Sequence, residues 1–272
     1  MRPRYALAML LTSDDATLYY EVHGSGPDVV LLHPFPANHK FWLPLLDDLT
    51  SRFRVTLPDL RGHGRSQPGE GAATMQKHAR DVLRICDEAG IHRAAFIGCS
   101  IGGYANFELW RQARERVKAL GFIDTKAPAD SEEARANRLR SADDVLARGP
   151  EPFIDGMLPK LLGHTTRTNR PDVMANARDL LMETSAAGIA AIQRGMAERP
   201  DSTATLATIT VPTLVLHGAE DDVPVMEAEA IRRGVRGAEL FVIQKAGHYS
   251  PFERPGEVGR LLREWLERLS RA

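Results

Sequence analysis

The chain is predicted to be an α/β protein: a mostly parallel central sheet flanked by helices and interrupted by a helical cap insertion. Two observations carry this expectation. Short runs rich in Val, Ile and Leu, bounded by Gly, Pro and Asp, alternate with amphipathic stretches, the pattern of strands joined by crossover helices. Several of these runs are apolar throughout, as parallel strands buried on both faces are. From about Lys126 to Ala204 the strand pattern stops. The expected division is therefore a core built from residues 1–125 and 205–272, with a helical cap at 126–204.

The elements follow in order. Strands are expected at Leu18–Val22, Val29–Leu32, Arg54–Leu57, Ala94–Ile97, Ala119–Ile123, Thr213–Leu216 and Leu240–Ile243. Thr74–Ala89 sets Met75, Ala79, Val82, Leu83 and Cys86 on one helical face, and Glu257–Leu269 does the same with Val258, Leu261, Leu262, Trp265 and Leu269. A further helix is expected over Tyr104–Trp110. In the insertion, Leu139, Leu146, Phe153, Leu158, Met174 and Ile189 are among the apolar residues that recur at helix-like intervals, punctuated by Gly149-Pro150, Pro159, Pro171 and Pro200.

Composition narrows the function. Of 272 residues, 43% are hydrophobic and 26% charged, a balance that suits a globular enzyme and not a disordered chain. A formal net charge of −1 supplies no field to attract nucleic acid or an anionic membrane. The excess of Arg over Lys reads as solvated helix faces. Cys86 and Cys99 do not make a disulfide framework. The segment Met1–Leu11 carries Arg2 and Arg4, but its apolar stretch is shorter than a secretory core; Met9 stands as an alternative start to Met1. No apolar run approaches the roughly 20 residues of a spanning helix, and the expected location is the cytoplasm.

The chemistry centres on Gly98-Cys99-Ser100-Ile101-Gly102, placed between a strand pattern and a helical one. A tight strand-to-helix turn crowds the backbone, so small residues two before and two after the serine relieve the clash and leave its Oγ exposed. A serine hydroxyl needs a base with a pKa near neutrality, itself oriented by a third group. His248, just past the last strand, is the candidate base. Three acids, Glu220, Asp221 and Asp222, crowd the loop after Thr213–Leu216. Asp221 is the first choice, Asp222 the runner-up and Asp124 a distant third. Two oxyanion donors are expected, the backbone N–H groups of Ile101 and Phe35. Phe35 lies between Pro34 and Pro36, which have no N–H, and the Phe35-Pro36 bond is a candidate cis peptide.

With Ser100, Asp221 and His248 in that chain order, the sequence resembles the α/β-hydrolase superfamily. Asp59-Leu60-Arg61-Gly62-His63-Gly64-Arg65-Ser66 resembles the superfamily's loop after an early strand, and Val211-Pro212-Thr213-Leu214-Val215-Leu216-His217-Gly218 its approach to the acid. The likeness runs from about Leu18 to Leu269, the insertion excepted. Gly-Cys-Ser-Ile-Gly-Gly-Tyr and Arg199-Pro200-Asp201-Ser202 narrow it to bacterial serine esterases and lactonases of the 3-oxoadipate enol-lactonase kind. One departure stands out: the superfamily usually has His-Gly where this chain has His33-Pro34.

The resemblance implies a carboxylesterase or lactonase acting on small to medium substrates through an acyl-enzyme. Its substrate-binding candidates are His33, Phe153, Met157 and Tyr249. The serine at the elbow separates the chain from haloalkane dehalogenases and epoxide hydrolases, which place aspartate there; Tyr249 after the histidine, where carbon–carbon hydrolases usually have Trp, counts against that class. Two other readings accompany it: a small-molecule receptor with slow turnover, and a cofactor-free haloperoxidase or perhydrolase. Neither a metal-ligand cluster nor a phosphate or dinucleotide loop stands in the sequence, so no cofactor is expected, and the expected partner is a small ester or lactone.

Overall fold

A computed structural model describes residues 7–271. Eight strands form one sheet: β1 (Leu7–Ser13), β2 (Ala16–Gly24), β3 (Asp28–Leu32), β4 (Arg54–Pro58), β5 (Ala94–Cys99), β6 (Val117–Ile123), β7 (Thr213–Gly218) and β8 (Glu239–Ile243). Their spatial order is β1-β2-β4-β3-β5-β6-β7-β8. The β1–β2 and β2–β4 pairings are antiparallel, and every pairing from β4 through β8 is parallel. Helices α1 (Leu46–Leu49), α2 (Met75–Glu88), α3 (Ile101–Ala113), α10 (Val225–Gly234), α11 (Ser250–Glu253) and α12 (Pro255–Arg271) belong to the segments around these strands. Between β6 and β7 come α4 (Glu132–Arg148), α5 (Pro150–Leu161), α6 (His164–Asn169), α7 (Pro171–Met182), α8 (Ala186–Ala197) and α9 (Thr203–Leu206).

Each of the seven strands expected from the sequence is present, and β1 is an addition. Its signal was Asp14-Asp15 between two apolar runs, a two-residue hairpin turn in which Asp14 takes a positive φ of 49°. Met9 lies within β1, opposite Tyr20; the reading of Met1, Arg2 and Arg4 lies outside the described residues. The inner strands β5 and β7 are buried along their whole length, because helices cover both faces of a parallel sheet. At the edge, β8 leaves Phe241 and Val242 partly exposed.

Helix boundaries have local causes. The Thr74 side chain accepts from Lys77 N and starts α2. The helix expected over Tyr104–Trp110 begins three residues earlier, at Ile101, directly after Ser100. In the insertion α4 buries only Ala142 and Val145, so Leu139 and Leu146, read as part of an apolar helical pattern, point outward. The arginine reading also needs correction at Arg61 and Arg199, which are buried. Arg61 forks onto both oxygens of Asp81 at 2.7 and 2.8 Å. Arg199 pairs with Asp130 Oδ1 at 3.0 Å, donates to Pro128 O and lies 3.9 Å from the Tyr104 ring centroid. It ties the two ends of the insertion to each other and to the helix behind Ser100.

Parallel strands end at one edge of the sheet, and ligands of such sheets bind there. The loops after β3, β5, β6, β7 and β8 all leave from that edge. They carry Phe35, Ser100, Asp124, Asp221 and His248 respectively.

Candidate active site

The turn from β5 into α3 is too tight for side chains at its flanks. A Cβ on Gly98 would stand 2.1 Å from Gly102 C, and one on Gly102 2.3 Å from Leu32 O. Both positions therefore require glycine. Ser100 itself sits at φ 52° and ψ −111°, a region non-glycine residues enter only when the surroundings hold them there. Those holds are visible. Ser100 N donates to Ile123 O at 2.9 Å, and its carbonyl accepts from Gly103 N at 2.9 Å and from the Thr125 hydroxyl at 2.8 Å. Ile101 opens α3, so its N–H belongs to the first turn, whose donors have no partner within the helix.

Ser100 Oγ lies 2.8 Å from His248 Nε2, and His248 Nδ1 lies 2.8 Å from Asp221 Oδ2. The partners assign the protons: Nδ1–H donates to the carboxylate, which leaves Nε2 to accept from the serine hydroxyl. Asp221 Oδ1 accepts from Val223 N at 2.9 Å, which orients the carboxylate. Of the three acids in this loop, Glu220 turns away to Thr165 N and Oγ1, and Asp222 is exposed. Burial disfavours a charged His248, but the Asp221 charge and hydrogen bond, with smaller help from Asp124 and Asp222, outweigh it and raise its pKa above the ordinary value.

Phe35 is held from three sides. The Phe35-Pro36 bond is cis. Tyr249 Oη donates to Phe35 O at 2.8 Å, and Thr184 Oγ1 donates to Pro36 O at 2.8 Å. The Phe153 ring of α5 meets the Phe35 ring edge-on at 5.9 Å, and Met157, one turn further along α5, is half-buried. His33 and Tyr249 do not reach a surface that a substrate could touch, because both are fully buried with their polar atoms engaged. His33 donates from Nδ1 to Pro34 O and accepts Leu60 N at Nε2, both at 2.9 Å. They shape the Phe35 loop from behind, and the sequence-based placement of these two among substrate contacts is corrected accordingly.

His33, His63 and His78 form a buried row, with ring centroids 4.7 and 6.2 Å apart. Burial depresses the pKa of each to about 3. In the unfolded chain each titrates near 6.5, so stability from keeping them neutral is complete above pH 6.5 and is lost as pH falls toward 3. At pH 5 the loss is about 2 kcal/mol for each. The urea midpoint at pH 5 is expected well below that at pH 7.5; equal midpoints would show that the row does not stay neutral in the folded protein.

Asp124, at the end of β6, is fully buried. Its Oδ1 accepts Gly218 N at 2.8 Å, and its Oδ2 accepts Ser250 N at 3.0 Å and Ser250 Oγ at 2.7 Å. Burial and then the Asp221 charge push its pKa up to about 8. It staples the loop of Asp221 to the loop of His248. Asp124, His217 and Asp221 also bring potential metal-ligand atoms within 4.8 Å of one another. The oxygens of both carboxylates are already engaged with His248, Ser250 and backbone donors, and His217 Nε2 faces Val223 O at 3.0 Å, while His217 Nδ1 is buried without a hydrogen-bond partner. Cys99 is buried and its thiol is pushed well above its ordinary pKa, chiefly by burial; it is held in the neutral form.

A strained serine at a strand-to-helix turn, joined through histidine to an acid on the next loop but one, is the arrangement of the α/β hydrolases, and the chain belongs to that family: residues 27–255 match the family described as alpha/beta hydrolase fold. A thermophilic esterase from Thermogutta terrifontis, solved with malate bound, superposes with a TM-score of 0.92 at 38% identity, covering 98% of this chain and 99% of that one. The RutD protein of Azorhizobium caulinodans, assigned provisionally as a carbamate hydrolase, is 32% identical, with 86% of this chain and 89% of RutD covered. 3-oxoadipate enol-lactonase 1 of Acinetobacter baylyi is 27% identical over 91% of this chain and 92% of its own length. The chain is thus similar to hydrolases of esters, lactones and carbamates.

Proposed function

We propose that the chain is a serine hydrolase of carboxylic esters or lactones with a small to medium acyl group, and that Ser100, His248 and Asp221 act as nucleophile, base and orienting acid. The observation that carries this reading is the unbroken path from Ser100 Oγ through both imidazole nitrogens to Asp221 Oδ2, with both contacts at 2.8 Å. His248 Nε2 takes the serine proton as Oγ attacks the substrate carbonyl. The oxyanion that forms faces the N–H groups of Ile101 and Phe35, which are fixed before reaction and need no reorganisation. His248 then gives its proton to the leaving alkoxide. In a lactone that group stays tethered to the acyl chain; in an ester it departs. Water, deprotonated by the same imidazole, releases the acid. Similarity to an esterase and an enol-lactonase supports this choice of bond.

Phe153 on Phe35 brings the insertion over the oxyanion loop, which supports a cap at residues 126–204 that limits acyl size. A panel of p-nitrophenyl esters, lactones and aryl carbamates, run beside the Ser100→Ala variant, tests the reading. Turnover of short esters or lactones that disappears in the variant is expected. Activity on long-chain triglycerides but not short esters would overturn the size assignment, and preference for carbamates would overturn the choice of bond.

His248 must be neutral to accept the serine proton, so kcat/KM falls as pH drops through its pKa. Because that pKa is raised, the acid limb is expected above pH 6.5. A kcat/KM profile for p-nitrophenyl butyrate between about pH 5 and 9 measures it, and an inflection below 6.5 would contradict the electrostatic balance described for His248.

A further inference from the structure

Glu253 is one of the most buried carboxylates in the described chain, 2% exposed, and neither the fold nor the Ser100 chemistry alone explains its place. It closes the one-turn helix α11, five residues after His248. Its two oxygens reach two different units. Oε1 accepts Gly247 N at 2.7 Å, the residue directly before His248, and Oε2 accepts Gly163 N at 2.9 Å, in the insertion between α5 and α6. Burial raises its pKa, with hydrogen bonds from Thr166 and from Gly163 and Gly247 opposing.

The two glycines it bridges touch directly. A Cβ on Gly247 would stand 2.4 Å from Gly163 N, and one on Gly163 would stand 2.8 Å from Gly247 N and 2.6 Å from Glu220 Oε2. Tyr249 N, on the other side of His248, donates to Leu161 O at 3.0 Å. Leu161, the last residue of α5, and Gly163, two residues further on, are thus sewn to both neighbours of the imidazole. The same α5 carries Phe153 against Phe35.

We propose that Glu253 is a positioning residue for His248: it registers the α5–α6 corner of the insertion against the loop that bears the imidazole, so that Ser100 reactivity depends on how the insertion is seated. The chemistry of the side chain fits this task. Two N–H donors from separate segments converge on one group, and a carboxylate accepts at both oxygens while donating nothing. Glutamine at this position would set its own N–H₂ against one of the two backbone donors. The glycines permit the close approach that brings both donors onto one carboxylate.

This inference rests on the reading of Ser100 and His248 as nucleophile and base, and the test separates the two. The full chain, Glu253→Gln, Gly163→Ala, the double variant and Ser100→Ala are compared by three measurements. These are the second-order rate of phosphonylation by a fluorophosphonate probe, kcat and KM for p-nitrophenyl butyrate, and Tm. Phosphonylation reads the activation of Ser100 without a cognate substrate. At a temperature well below each Tm, Glu253→Gln and Gly163→Ala are each expected to lower the phosphonylation rate and kcat by about ten-fold or more, with KM little changed. The double variant is expected to resemble the single variants and not their product, because both disrupt one contact. A lowered Tm with unchanged phosphonylation and kcat, or losses that multiply, would overturn the proposal. If Glu253→Gln does not fold, Gly163→Ala decides it alone from the cap side by the same rates. Reaction of Ser100→Ala with the probe would instead overturn the reading of Ser100, whatever the other variants do.

Discussion

Replacing Ser100 by alanine is expected to lower kcat for p-nitrophenyl butyrate on the order of 10⁶-fold, the loss seen when serine proteases lose their nucleophile, while Tm changes little. The hydroxyl is small, and its removal leaves the turn intact. Gly98 and Gly102 still allow the approach of strand and helix, and Ser100 N and O hold the backbone through Ile123 and Thr125. What goes is the hydroxyl proposed as nucleophile, which lies 2.8 Å from His248 Nε2. Residual hydrolysis on the order of 10³-fold over water is expected from the oxyanion donors acting on a water molecule. The measurement is single-variant kinetics with an active-site titration to exclude contamination by wild type. Wild-type turnover in Ser100→Ala would place the chemistry elsewhere.

The second large effect separates the acids. Asp221→Asn is expected to lower kcat about 10⁴-fold, whereas Asp222→Asn leaves it within about three-fold. The reason is tautomeric. Asp221 Oδ2 accepts from Nδ1–H at 2.8 Å; an asparagine side chain presented there by its amide nitrogen donates, forces the proton to Nε2 and removes the lone pair that receives the serine proton. The buried carboxylate charge that stabilises the imidazolium disappears at the same time. Asp222 is exposed and acts on His248 only through a screened charge that raises its pKa slightly. Its replacement is expected to move the acid limb to marginally lower pH. Comparable losses in both variants would mean that the loop, and not one carboxylate, serves His248.

Much of the frame was legible in the residues because its causes are local. The apolar runs that become β3 through β8 sit where they were expected, and β5 reads as apolar throughout because it is buried on both faces. Asp14-Asp15 and the run before it were passed over because that apolar stretch was weighed only as a secretory core, for which it is too short; only pairing with β2 makes it a strand. Leu139 and Leu146 lie in a helix as their spacing indicated, but spacing does not say which stripe meets a neighbour, and α4 turns its Ala142 and Val145 face inward.

The site divides in the same way. Ser100 was legible because the Gly98 and Gly102 requirement acts within five residues. His33 and Tyr249 were placed among substrate contacts because sequence does not report burial; packing covers both and spends their polar atoms on the Phe35 loop. Glu253 was missed altogether. Its signal, an acid in the turn after His248, is ordinary in a sequence, and its meaning depends on Gly163, which lies 90 residues away.

By itself, then, the sequence determined the parallel sheet, the strand-to-helix turn and the residue types able to form a nucleophile and its base, since sterics and hydrophobic periodicity act over a few residues. Only the tertiary structure decided which of three neighbouring acids reaches His248, and what Asp124 and Glu253 hold. Those outcomes depend on loops that meet at one edge of the sheet across 27 to 148 residues of chain. Contacts of 2.8 Å between such loops follow from the packing of every element beneath them.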